Sequence, residues 1–177
     1  MVAAVMSAAL PYTRALTPSI LRAERSVLDL PADAERGKVV YLKGKCTTCH
    51  RRGAEGLEIG PNLATVLNHP PEKLLSSILD PNAEIHPGYQ RYNCQLESGL
   101  IVSGLLTAET SNSVTIKLED GSVKTLARSQ IELLQNSGLS LMPEGLEKTI
   151  QPQELADLIA LLRTPVVAGA ATTAPPK

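Results

Sequence analysis

Cys46-Thr47-Thr48-Cys49-His50 places two thiols three positions apart and an imidazole directly after the second. Each thiol can add across one vinyl group of a haem, and the adjacent histidine can then supply a ring nitrogen to the iron. C-x-x-C-H is the string of c-type haem attachment, and a proximal histidine is a recognised axial ligand. Two rivals use the same cysteines. Zinc wants four ligands, usually from two spaced pairs, and beyond the box the chain offers only Cys94, His69 and His86, none of them paired. Cys49 and His50 are also neighbours, which makes it awkward for both to face one tetrahedral metal. A thioredoxin-like dithiol should sit in a βαβ unit, whereas this box follows a helical stretch. The reading is one covalently attached haem c with its iron.

Composition fits a soluble chain with such a group. At 177 residues it suits one domain, or one domain with a small insertion and tails. The apolar share of 43% and charged share of 20% are ordinary. Aromatic residues make up only 2%, low for a core of this size, and a buried porphyrin would supply flat apolar bulk. A net charge of −1 does not point to nucleic acid or to an anionic membrane surface. Cys94 is left over after the box, so a disulfide framework is not expected, and it reads as a small apolar strand residue. No run reaches membrane-spanning length. Residues 1–10 are apolar but short, with no basic residue ahead of them, and make a poor signal peptide. The expectation is a fragment of a longer exported protein, or a true start upstream.

Outward from the box, the chain divides by period. Residues 1–30 are weakly patterned and interrupted by Pro11 and Pro18, as in a linker or the remnant of a preceding domain. Asp33 is a plausible N-cap for a helix whose Gly37, Val40, Tyr41 and Gly44 share one face. Residues 51–60 form a glycine-rich loop ending in Gly60-Pro61-Asn62-Leu63. Pro70-Pro71 starts a second helix with Leu74, Leu75, Ile78 and Leu79 as its stripe, and Asp80-Pro81 ends it. From about 89 to 135 the period becomes two, with hairpin turns at Ser98-Gly99 and 119–121 and a short strand over 131–134, which gives a small antiparallel meander. Residues 139–145 read as a loop carrying Met142-Pro143. Gln151-Pro152-Gln153-Glu154 opens a last helix with Leu155, Leu158, Ile159 and Leu162 on one face, and 164–177 is an Ala/Thr/Pro-rich tail expected to be disordered.

Helix, C-x-x-C-H, Gly-Pro-Asn-Leu, a methionine loop and a closing amphipathic helix occur in the order of class I cytochromes c, which the chain resembles. Further strings sharpen the likeness: Ile78-Leu79-Asp80-Pro81-Asn82, Pro87-Gly88-Tyr89, Ser140-Leu141-Met142-Pro143-Glu144-Gly145-Leu146 and Glu154-Leu155-Ala156-Asp157-Leu158-Ile159. They are similar to the haem-binding domain of planctomycetes and verrucomicrobia, which commonly closes large exported proteins. The resemblance covers about 31–163 and implies a mainly α cytochrome c fold, three main helices around one haem, with an inserted antiparallel β meander. It implies Cys46 and Cys49 as thioether anchors, His50 as proximal ligand, Pro61 offering its carbonyl to the other His50 nitrogen, and Met142 as distal ligand. Met142 lies further from His50 than a plain cytochrome needs, which the strands account for. Leu161 stands where the family usually has an aromatic, so looser packing between the terminal helices is expected.

Blander roles stand beside these. Met142 could be a loop gap-filler, and His69 and His86, each beside a proline, read as surface residues that could in principle replace it. Lys43, Lys45, Arg51 and Arg52 form either a basic rim that steers a redox partner or a solvated face. The strand insertion is either a docking surface or a cover for the haem. The implied function is one-electron transfer rather than enzymatic turnover. A dehydrogenase, attached or separate, would be the donor, another cytochrome the acceptor, and the periplasm or another extracytoplasmic space the site. The alternative is a haem enzyme or gas sensor with an open or displaceable sixth ligand.

Overall fold

Asp33 sits in extended backbone and its side chain accepts the Arg36 N–H at 2.8 Å, which starts helix α1 (Ala34–Lys43) as its cap. The computed structural model describes residues 26–166, in two units: a sheet unit, Asp80–Glu144, and a helical unit of 26–79 with 145–166. The expected linker and tail lie largely outside the described residues. Their described ends behave otherwise. Residues Ser26–Asp29 form a 3-10 turn with Val27 buried, so helical-unit structure begins before residue 31. At the other end, Thr164 N–H and Oγ1 bond to Leu161 O and Ala160 O, which carries the ordered chain past Arg163.

Helix α2 (Pro71–Leu79) buries Leu74, Leu75, Ile78 and Leu79 and stops at the residue before Asp80-Pro81. Helix α3 (Pro152–Leu162) opens with a capping box between Gln151 and Glu154. It is the hub of the helical unit, packing on α1, α2, the 26–29 turn and the 3-10 turn Leu63–Val66. Helices α1 and α3 meet at Gly37, where a β carbon would lie 2.1 Å from the Asp157 carbonyl oxygen and 2.9 Å from Leu161 Cβ. The looser packing expected at Leu161 is therefore not found. Leucine is buried there, and the glycine opposite lets the backbones approach until the smaller side chain suffices.

Asp157 in α3 was expected only as part of a motif, yet its carboxylate is 3% exposed. The Arg36 guanidinium grips both oxygens at 2.8 Å, and the Asp33 N–H and Gln153 amide donate to Oδ1 at 2.8 and 3.1 Å. These donors, Arg36 first, hold the Asp157 carboxyl below the usual carboxylate range against the opposing effect of burial. Charge-assisted bonds are worth about 1.5–3 kcal/mol each net. Since Arg36 itself is half exposed, Asp157→Asn is expected to lose about 2 kcal/mol of stability at neutral pH. The folded pKa is depressed, so this contribution is complete above the unfolded value near ~3.9 and fades as pH falls through the folded one. Urea titrations should show wild type and variant converging below about pH 4, and a gap that persists there would contradict the assignment.

The sheet unit holds five antiparallel strands, β1 (Gln90–Leu96), β2 (Ile101–Glu109), β3 (Ser113–Lys117), β4 (Val123–Ala127) and β5 (Ile131–Ser140), in the order β4-β3-β2-β1-β5. Cys94, Val102, Val114 and Ile116 alternate onto one face and form its core, so Cys94 is the apolar strand residue expected. Ile101 and Leu133 flank Gln95 on the other face and remain exposed. The meander is modified at its end. Strand β5 runs to Ser140 rather than 134, absorbs the first two residues of the expected loop, and pairs back on β1. A register shift between Gln90 and Tyr92 takes up Ser137, Gly138 and Leu139, beside Asn136, which pairs with Tyr92; asparagine and glycine are poor strand formers. Ser137 Oγ donates to Arg91 O and Asn136 Oδ1 accepts Gly138 N–H, so side chains stand in for missing ladder bonds.

Candidate haem-attachment site

Lys45 takes a left-handed conformation, φ 55°, and turns the chain out of α1 into the 3-10 turn Cys46–Thr48. The box winds on two carbonyls: Lys45 O receives the N–H of Thr48 at 3.0 Å, and Cys46 O receives the N–H of Cys49 at 3.2 Å and of His50 at 2.8 Å. The following loop folds back and donates Leu57 N–H to Thr47 O, and both Ile59 N–H and Gly60 N–H to Cys49 O. Backbone bonds thus set most of the box; Thr48 Oγ1 donates to Lys45 O at 2.7 Å and lies 3.7 Å from Cys49 Sγ, and both half-buried thiols are outside any disulfide. Burial pushes the Cys46 thiol up, so it stays protonated in the folded chain.

His50 is fixed at both ends. The Tyr41 hydroxyl, on the buried face of α1, donates to His50 O at 2.7 Å. Burial pushes that phenol up to about 12. On the ring, Nδ1 lies 2.8 Å from Pro61 O. A carbonyl oxygen only accepts, so Nδ1 carries the proton and Nε2 keeps its lone pair, the state a metal ligand needs. Burial lowers the His50 pKa more than the Pro61 bond raises it, which holds the imidazole neutral. Gly60 packs under the ring: a β carbon there would stand 2.6 Å from Cε1. Two thiols outside any disulfide, a neutral imidazole with a defined tautomer and a glycine floor fit a covalently attached haem.

The zinc reading lacks its parts. Among the described residues no three His, Cys, Asp or Glu side chains come together as zinc would require. Cys94 lies in the core of the sheet unit. His69 is exposed in its loop, and His86 is exposed with its ring edge-on to Tyr89. Met142 follows β5 half-buried, its N–H bonded to Ser140 Oγ at 3.0 Å.

Three of the four residues of the expected basic rim, Lys43, Arg51 and Arg52, are tied into the helical unit. Lys43 pairs with Glu154 at 2.6 Å and Arg51 with Glu58 at 3.3 Å. Arg52 donates to Leu161 O and Thr164 O at 2.8 and 2.7 Å, so it caps the negative end of α3. Sequence reasoning missed this cap, as it missed the Tyr41 hydroxyl and the floor at Gly60. Tyr41 was legible as a buried face, but nothing local marks where its oxygen ends.

Among the described residues no helix is long and apolar enough to cross a membrane. No curated protein matches the chain. The cytochrome c family model matches residues 34–94, a segment that holds Cys46, Cys49, His50 and Pro61 and stops short of Met142. That match supports a c-type cytochrome, a haem-binding electron carrier rather than an enzyme, with covalently attached haem c and its iron.

Proposed function

We propose that the protein is a one-electron carrier in which His50 and Met142 ligate the iron of a haem anchored on Cys46 and Cys49. The observation that carries the reading is the His50 Nδ1–H bond to Pro61 O at 2.8 Å, which leaves Nε2 as the donor. When bound, the haem supplies a ferrous–ferric couple with no substrate turned over. The Pro61 carbonyl keeps the proton on Nδ1 and raises the basicity of the ring. Tyr41 holds the His50 backbone, and partial burial shields the ring from water. The Met142 thioether would favour the ferrous state and raise the potential. The strands enter the chain as an insertion in a cytochrome c fold, between α2 and Met142. The donor would be a dehydrogenase, attached or separate, and the acceptor another cytochrome. The setting is the periplasm or another extracytoplasmic space, and a larger, haem-attached oxidoreductase fits the same reading.

Visible spectra of oxidised and reduced protein test the ligand set. Low-spin spectra with a sulfur-to-iron charge-transfer band in the ferric form are expected, and Met142→Ala should abolish the band and turn the iron high-spin. An unaltered spectrum in Met142→Ala refutes the distal assignment. A high-spin wild type that binds carbon monoxide would instead mark a sensor or haem enzyme.

A further inference from the structure

Two strings that the haem anchors leave unexplained, Asp80-Pro81-Asn82 and Ser140-Leu141-Met142-Pro143-Glu144, are joined by one side chain within the sheet unit. Asn82 Oδ1 accepts the Ser140 N–H at 2.7 Å. The Nδ2 of the same amide donates to Glu144 Oε1. One amide therefore spans the five residues that have Met142 at their centre. Ser140 is held twice more: its Oγ accepts the Met142 N–H at 3.0 Å, and its carbonyl accepts from Arg91 Nη2 at 3.0 Å.

The chemistry demands an amide at residue 82. The backbone N–H on one side needs an acceptor, and the Glu144 carboxylate on the other needs a donor. Asparagine offers both, while an aspartate could only accept and would face the carboxylate with like charge. The bond to Glu144 is charge-assisted, the stronger kind. Such a clamp costs the 140–144 segment its freedom and raises the free energy of swinging Met142 away.

We propose that Asn82 is a positioning residue for the sixth iron ligand, a staple that protects Met142 from displacement by external ligands. The inference rests on the reading of Met142 as distal ligand. Its consequence is an exchange property. A competitor must open the staple before it reaches the iron, and because the charged bond to Glu144 is exposed to solvent and weakened by it, loss of the two hydrogen bonds should ease that opening about tenfold.

The test is an imidazole titration of the ferric full-length protein, read by the charge-transfer band, with far-UV circular dichroism to confirm the fold. Asn82→Ala should bind imidazole about tenfold more tightly. Asn82→Asp should do likewise, and Asn82→Asp/Glu144→Gln should recover wild-type affinity, because donor and acceptor trade places across the same gap. A contact that only stabilised the fold would leave the imidazole affinity of the folded single variants unchanged. If Asn82→Ala loses its fold, the Asn82→Asp pair decides. Wild-type affinity in Asn82→Asp, or no recovery in the double variant, overturns the staple. If the band survives Met142→Ala, the ligand reading has failed instead, so the two failures are separable.

Discussion

A Cys46→Ala/Cys49→Ala variant is expected to retain no haem after extraction with acidified organic solvent, whereas wild type should retain one haem c per chain by the pyridine haemochrome assay. The bonds that shape the box are made chiefly by Lys45 O, Cys46 O, Thr47 O and Cys49 O, and sulfur adds only the 3.7 Å contact of Cys49 Sγ with Thr48 Oγ1. Alanine therefore removes the chemistry and spares the turn. With the thioethers gone, only axial bonds would hold the group, and acid protonates the His50 nitrogen that makes one of them. Each single variant keeps one sulfur and should keep covalent haem with a displaced haemochrome band, since one vinyl group survives. Haem that stays bound in the double variant, or a wild type without haem, would falsify the attachment.

Gly37→Ala should strongly destabilise the helical unit. In an isolated helix the change gains about 1 kcal/mol, because glycine is the poorer helix former. Here the added carbon would meet the Asp157 carbonyl oxygen at 2.1 Å and its carbon at 2.7 Å. Both are backbone atoms and cannot rotate aside, so α1 and α3 must separate. Overpacking of this kind costs about 1–3 kcal/mol and occasionally more. Separation also stretches the bonds of Asp157 to Arg36 and Asp33 across the same interface. We expect the clash to win, with a net loss of about 3 kcal/mol and a Tm lower by on the order of 10 °C. Thermal denaturation followed by circular dichroism measures it. An unchanged or raised Tm would mean that the helices are not locked at this contact.

These expectations differ in how far the sequence already contained them. The Asp33 cap, the stripe of α2, the stop before Asp80-Pro81 and the turns at Ser98-Gly99 and 119–121 were legible because each is settled within a few residues. Strand β5 beyond 134 was not, because Asn136, Ser137 and Gly138 have low strand propensity and are kept in register by bonds to β1 and to one another. Leu161 misled in a related way: its type suggested a gap, and Gly37 on another helix removed it.

By itself the sequence determined the chemistry that covalent neighbours impose: two thiols and an imidazole in one turn, which names the cofactor, and Met142 in its Ser-Leu-Met-Pro setting, which nominates a second ligand. Tertiary structure decided everything that depends on which polar groups meet. Asp157 finds the Asp33 N–H 124 positions away, Asn82 finds Ser140 across 58, and the Tyr41 hydroxyl finds His50 O. Hydrogen bonds are short and directional, and their partners are chosen by the path of the backbone rather than by residue type.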